Sequence, residues 1–136
     1  VSAVEPEMLG LVDLLVPNQL EAAALAGTDD PVVAADRLSR RAGDVVITLG
    51  AEGSLWAQAG LIRHVEPALA VEAVDTTGAG DAYVGALVAR LAEGAAMPVA
   101  MRWASAAAAI AVTRPGATSS LPTRDEVASL LTRSGR

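Results

Sequence analysis

Asp75-Thr76-Thr77-Gly78-Ala79-Gly80-Asp81-Ala82-Tyr83-Val84-Gly85-Ala86-Leu87 is the stretch on which the reading of this chain turns. A strand-like run, Val71 to Val74, leads into two glycines one residue apart, then an aspartate, then an apolar helix. Gly78 and Gly80 let the backbone turn tightly through conformations that a side chain forbids. A helix beginning near Ala79 offers unpaired N–H groups and the positive end of its dipole to an anion. On the residues alone, the carboxylate of Asp81 beside such a nest has two readings. It is either a first-turn acid favoured by the dipole, or a general base that takes a proton from a hydroxyl attacking a phosphate.

Taken together, the thirteen residues resemble the second signature of the ribokinase (PfkB-type) family of carbohydrate kinases, Asp-Thr-x-Gly-Ala-Gly-Asp. The resemblance implies that Asp81 is the catalytic base and touches the substrate hydroxyl. It also implies an anion hole for the transferred phosphoryl group built from Gly78, Ala79, Gly80 and the Asp81 amide.

Bulk composition narrows the alternatives. A chain of 136 residues suits one domain with a real core. With 52% hydrophobic against 19% charged residues it is not a disordered chain. Two Trp, one Tyr and no Phe leave the core to Ala, Val and Leu. A net charge of -6 argues against a nucleic-acid partner, which needs a basic face. All ten basic residues are arginines. The absence of lysine removes the P-loop kinases and the protein kinases, whose phosphate handling needs one. Phosphate handling must then rest on backbone amides, arginines and metal.

There is no cysteine for a disulfide, a zinc-thiolate site or a thiol nucleophile, which suits a reducing cytoplasm. His64 stands alone between Arg63 and Val65 and reads as a surface residue rather than a metal ligand. The longest uncharged apolar run, Trp103 to Val112, is too short to span a bilayer, so no membrane partner is expected. Val1 to Pro6 has neither the basic nor the apolar region of a signal peptide.

Along the chain, Leu11 to Val16 reads as a buried strand ended by Pro17, and Asn18 to Ala26 as a helix closed by Gly27. Asp30-Pro31 caps a helix running to Ala42. Asp44 to Leu49 is a strong strand signal, followed by Ser54 to Ala57 and Leu61 to Val65 as a strand-turn-strand. After the signature helix come Met97 to Val112 and then Thr123 to Leu131, the latter opened by a capping box of Thr123 and Glu126. Alternating strands and helices call for an α/β layered fold with a mostly parallel sheet.

Three further motifs carry the resemblance. Asn18-Gln19-Leu20-Glu21 is, on the residues alone, a helix N-cap with its third-position glutamate. The family has an Asn-x-x-Glu at this point, which places Asn18 near the triphosphate and Glu21 in the Mg²⁺ shell through water. Capping and Mg²⁺ organisation are compatible. Thr48-Leu49-Gly50-Ala51-Glu52-Gly53 leaves the end of a strand, where open α/β sheets bind ligands. It is either an ordinary turn or, as the resemblance implies, the loop lining ATP.

Ala111 to Ser120 is either a helix C-cap with Arg114 complementing the dipole, or the counterpart of a K⁺ loop. In the second case the resemblance implies a cage of Asp75, Thr77, Ala111, Arg114, Gly116 and Ser120. Ser105 stands where the family commonly places an asparagine near the adenine, which weakens that contact with ATP.

The resemblance covers essentially all 136 residues but only the C-terminal half of a ribokinase, without its first signature, sugar-binding residues and β-sheet lid. Residues 1–136 are therefore expected to be the nucleotide-binding and catalytic part of a ribokinase-like domain. In an intact, cytoplasmic and homodimeric protein it would transfer phosphate from ATP to a sugar hydroxyl, with ribose to ribose 5-phosphate the first choice. The alternatives are another sugar or nucleoside as acceptor, or a non-catalytic nucleotide-binding remnant. The chain by itself is expected to be inactive, since its sugar pocket falls mostly in the missing half.

Overall fold

In the computed structural model, which describes residues 4–135, the elements run α1 (Pro6–Leu9), β1 (Leu14–Leu15), α2 (Gln19–Ala26), α3 (Pro31–Ser39), β2 (Asp44–Thr48), β3 (Ser54–Gln58), β4 (Leu61–Glu66), α4 (Ala79–Ala92), α5 (Met97–Val112) and α6 (Arg124–Arg133). The chain forms two compact units, Val1–Val65 and Glu66–Arg136. The reading of the first three residues as free of a signal segment lies outside the described residues.

The first unit is built on a sheet of order β1-β2-β3-β4. Its β1 and β2 are parallel, with Leu14 opposite Asp44, whereas β2 and β3 are antiparallel, with Val46 opposite Trp56. The sheet is thus mixed rather than mostly parallel. The reason lies in the connections. Parallel neighbours need a crossover of a dozen or more residues, and α2 and α3 supply one between β1 and β2. Residues 49–53 and the two-residue link Ala59-Gly60 are too short for anything but reversal.

Val45, Ile47, Leu55 and Ala57 line one face and pack with Ala22, Ala34, Ala35 and Leu38 from α2 and α3. On the other face Val46 is also fully buried, and the Trp56 indole donates to Asp44 Oδ1 at 2.8 Å. Both helices begin as their caps dictate. Asn18 and Glu21 form a reciprocal capping box, and Asp30 Oδ1 accepts the Val32 and Val33 amides.

Two elements are shorter than expected. The strand read over Leu11–Val16 is reduced to Leu14–Leu15, because the Leu11 and Val12 amides turn back to the Met8 and Leu9 carbonyls. Pro17 then has no amide to extend the ladder. Likewise α3 stops at Ser39, where the Arg41 and Ala42 amides both turn to the Leu38 carbonyl. His64 is half-buried on β4.

The second unit is helical. Ala100, Ala104, Ala107 and Ala111 give α5 a smooth buried stripe, so that Tyr83 and Leu87 of α4 are buried in the same unit. Alanine costs nothing in helix propensity and lets two helices approach closely. Val127 of α6 packs with Ala106 and Ala107. On the rim, the Arg90 guanidinium lies 4.7 Å from the Trp103 ring centroid, and Glu93 pairs with both Arg90 and Arg124. The run Val71–Val74, read as strand-like, is not a strand. It is exposed, and it is anchored where the Val74 N–H donates to the Val112 carbonyl at the end of α5.

Candidate functional site

In the first unit, the residues expected to handle ATP lie at the carboxyl ends of β1 and β2. The Thr48 N–H donates to the Pro17 carbonyl at 3.0 Å, and Asn18 and Thr48 form a parallel bridge. The asparagine and the Thr48–Gly53 turn therefore lie side by side, although thirty residues separate them in sequence. Asn18 Oδ1 accepts the Glu21 N–H and Glu21 Oε2 accepts the Asn18 N–H, each at 2.9 Å. Among the described residues the second carboxylate oxygen of Glu21 is left open on an exposed side chain, an acceptor suited to a Mg²⁺-bound water. Gly50 to Glu52 make a single 3₁₀ turn, closed by the Leu49 N–H on the Gly53 carbonyl at 2.7 Å. Ala51 and Glu52 are exposed along it.

In the second unit, the signature turn and the segment after α5 are joined. Asp75 Oδ1 accepts the Thr77 N–H and Asp75 Oδ2 accepts the Gly116 N–H, both at 2.9 Å. The Gly116 amide, then the Thr77 hydroxyl and amide, hold the Asp75 carboxyl down at about 2, so it is ionised at neutral pH. Gly78 has φ 80° and ψ 0°, and a Cβ there would stand 3.0 Å from the Ala117 Cα. Only glycine serves, for conformation and for space.

Gly80 differs from expectation. It lies in the first turn of α4 without a positive φ, and a Cβ there would meet nothing within 4 Å. The turn is made by Gly78, while Gly80 leaves open space above the helix start.

The four amides expected to form an anion hole are not equivalent. The Ala79 N–H donates to the Thr76 carbonyl at 3.2 Å. Those of Gly80 and Asp81 have no hydrogen-bond partner among the described residues, and the Asp81 side chain is exposed beside them. Such amides at a helix start are ready donors to an anion.

Around the expected K⁺ cage, Ser120 is fully buried and its hydroxyl donates to the Ala117 carbonyl at 2.7 Å. The Ala111 carbonyl accepts the Arg114 N–H at 3.2 Å. The Arg114 side chain is turned away to Glu126, leaving its carbonyl as its possible cage donor. The donor set is one ionised carboxylate with neutral carbonyl and hydroxyl oxygens, which fits a singly charged hard cation. Ser105, the expected adenine contact, is buried in α5 and donates to the Pro67 carbonyl at 3.4 Å. Two partners had no sequence signal beyond local capping: Glu126 as the acceptor for Arg114, and Ala117 as the surface under Gly78. Both are long-range contacts that no local pattern marks.

Residues 3–124 match the pfkB family carbohydrate kinases, and the chain belongs to that family. A ribokinase from Haemophilus influenzae is 39% identical over an alignment of 134 positions that covers 92% of this chain and 42% of the relative. A deoxyribokinase from Salmonella typhimurium is 36% identical over an alignment of 120 positions that covers 84% of this chain and 39% of the relative. The ribokinase of Thermotoga maritima superposes with a TM-score of 0.90 at 36% identity, over 96% of this chain and 46% of that one.

The Arabidopsis thaliana ribokinase, solved with ribose and ATP, gives 0.85 at 30% identity over 96% and 46%. Phosphofructokinase-2 from Escherichia coli, solved with potassium, gives 0.82 at 29% over 96% and 43%. The fold is the ribokinase-like α/β fold, of which this chain spans under half the length of each relative. No helix among the described residues is long and apolar enough to cross a membrane.

Proposed function

We propose that this chain is the nucleotide-binding and catalytic part of a ribokinase-like domain that moves the γ-phosphoryl group of ATP to a sugar hydroxyl. One observation carries the reading. At the start of α4, two amides without partners among the described residues and an exposed carboxylate share an open approach over Gly80. Charge that develops on a transferred phosphoryl group is stabilised by fixed donors of this kind, and a carboxylate there can accept the attacking hydroxyl's proton. Asp81 is the base. The Gly80 and Asp81 amides are the principal donors, with Gly78 and Ala79 shaping the turn that presents them.

Asn18, Glu21 and the Thr48–Gly53 turn serve the nucleotide in the first unit, with Glu21 reaching Mg²⁺ through water. Bound ATP with Mg²⁺ would supply the phosphoryl group, and K⁺ would neutralise Asp75 and order the loop it shares with Gly116. Ser105 borders the adenine in this proposal, although its hydroxyl is engaged with Pro67. The intact protein is proposed to be a cytoplasmic homodimer. Ribose, phosphorylated on its 5-hydroxyl, is the acceptor favoured by a ribokinase of H. influenzae at 39% identity and an A. thaliana ribokinase solved with ribose.

A deoxyribokinase at 36% identity keeps deoxyribose as the competing acceptor. The test is ADP release by the protein that carries this segment at full family length, measured over a panel of sugars and nucleosides. Turnover highest with ribose bears the reading out. Turnover with another acceptor moves the substrate, and none with any acceptor leaves the nucleotide-binding remnant.

A further inference from the structure

Segment 112–120 is tied to the signature turn in three ways. The Val112 carbonyl accepts the Val74 and Asp75 amides at 2.7 and 3.1 Å, Asp75 accepts the Gly116 amide, and Gly78 rests on Ala117. A fourth tie comes from α6. Arg114 Nη2 donates to Glu126 Oε1 at 2.6 Å and Nη1 to Oε2 at 3.3 Å. The same Oε2 accepts the Thr123 N–H at 2.7 Å.

A capping box needs only the last of these bonds, so capping does not explain the fork on Arg114. Nor does dipole complementarity at the end of α5 require the guanidinium to reach another helix. The fork closes residues 114–126 into a ring, and that ring contains Gly116 and Ala117, the two residues that touch the 75–78 turn. Two-point geometry is the case in which a half-exposed ion pair holds a chain in place.

We propose that Glu126 is a positioning residue for the α4 site. By gripping the Arg114 guanidinium it fixes the Gly116 amide against Asp75, and through Asp75 and Gly78 it orders the turn that presents the Gly80 and Asp81 amides. The functional part of this inference rests on the reading of Asp75 and Gly116 as a cation loop, while the structural part stands apart from it.

The experiment is amide hydrogen exchange on the 136-residue chain, read at Gly116 and Thr77. Glu126→Gln keeps an oxygen for the Thr123 amide but turns donors toward Arg114. It should speed exchange at both amides by about tenfold, the scale of a lost charge-assisted bond, with Val46 and Ile47 in the first unit unchanged. Arg114→Gln should do the same, and the double variant should add little. Thr123→Ala weakens the cap and spares the fork, so both amides should stay near wild-type rates.

Wild-type rates in Glu126→Gln would overturn the proposal. Equal acceleration by Thr123→Ala would too, since helix stability alone would then suffice. Potassium chloride against choline chloride on the wild-type chain separates the underlying reading. Slower exchange in potassium supports the cation loop, and no difference removes that reading while leaving the Glu126 result standing.

Discussion

Asp75 and Gly116 are 41 residues apart, yet the Asp75 Oδ2 accepts the Gly116 amide at 2.9 Å. This bond joins the signature turn to the loop after α5 across the length of two helices. With Gly78 seated on Ala117, it fixes the direction in which α4 sets out.

Asp81→Asn in the full-length protein should reduce turnover by roughly 10²–10⁴-fold, the usual contribution of a general base. Nucleotide affinity should change far less, because the donors are backbone amides. Steady-state kinetics with a separate nucleotide-binding measurement check this, and near-normal turnover would remove Asp81 as base.

Activity in potassium should exceed activity in sodium or a bulky organic cation, and Asp75→Ala should abolish the difference. A flat response across cations in an active enzyme would remove the cation site and leave the assignment of Asp81 untouched.

Gly78 and Gly80 should part company when each is changed to alanine. Gly78→Ala forces a side chain to φ 80° and against Ala117, at about 1–3 kcal/mol of stability. Gly80→Ala meets open space at a helical position and should stabilise by up to about 1 kcal/mol, while a methyl above the amides lowers turnover. Urea midpoints on the chain test the stabilities, and kinetics of the full-length protein test the second claim.

Acid should loosen the second unit. Asp75 is lowered from 3.8 to about 2 by the Gly116 and Thr77 groups, and Glu126 from 4.5 to about 2 by Arg114 and then Thr123. Depressed values mean that each carboxylate stabilises the fold above its ordinary range and ceases to as pH falls toward 2. Helical signal followed by circular dichroism should therefore fall between about 4.5 and 2. Glu126→Gln, neutral throughout, should start less stable and show a shallower slope. A parallel, undiminished fall in that variant would exclude Glu126 from the effect.

The chain by itself should not phosphorylate ribose, because positioning two reactants supplies about 7–11 kcal/mol of a typical barrier and no sugar pocket is proposed within it. Leu11 and Leu20 are more than four-fifths exposed, and Val74 more than two-thirds, so self-association is expected. Light scattering and ribose-dependent ADP release test both. A monomer with ordinary turnover would place the sugar site inside these residues.

The sequence carried the local devices well. The Asn18–Glu21 and Thr123–Glu126 capping boxes, the Asp30 cap and α5 from Met97 to Val112 all depend on neighbours within four residues, and each stands as read. What escaped depends on distance. Val71–Val74 has the β-branched composition of a strand but no partner strand, so composition misleads there. The direction of β2 against β3 followed from connection length, which was legible but outweighed by the alternating pattern. Of the candidate site, the signature residues were visible as chemistry. The different use of Gly78 and Gly80, and the hold of Glu126 on Arg114, needed the fold.

The chain's two tryptophans fall one to each unit: Trp56 in β3, bound to Asp44, and Trp103 in α5, under Arg90. Each unit therefore carries its own fluorophore, in a different polar setting. Trp103→Phe leaves emission that follows only the sheet, and Trp56→Phe leaves emission that follows only the helices around the signature turn. Melting of the two halves becomes separable in a cuvette without an added dye.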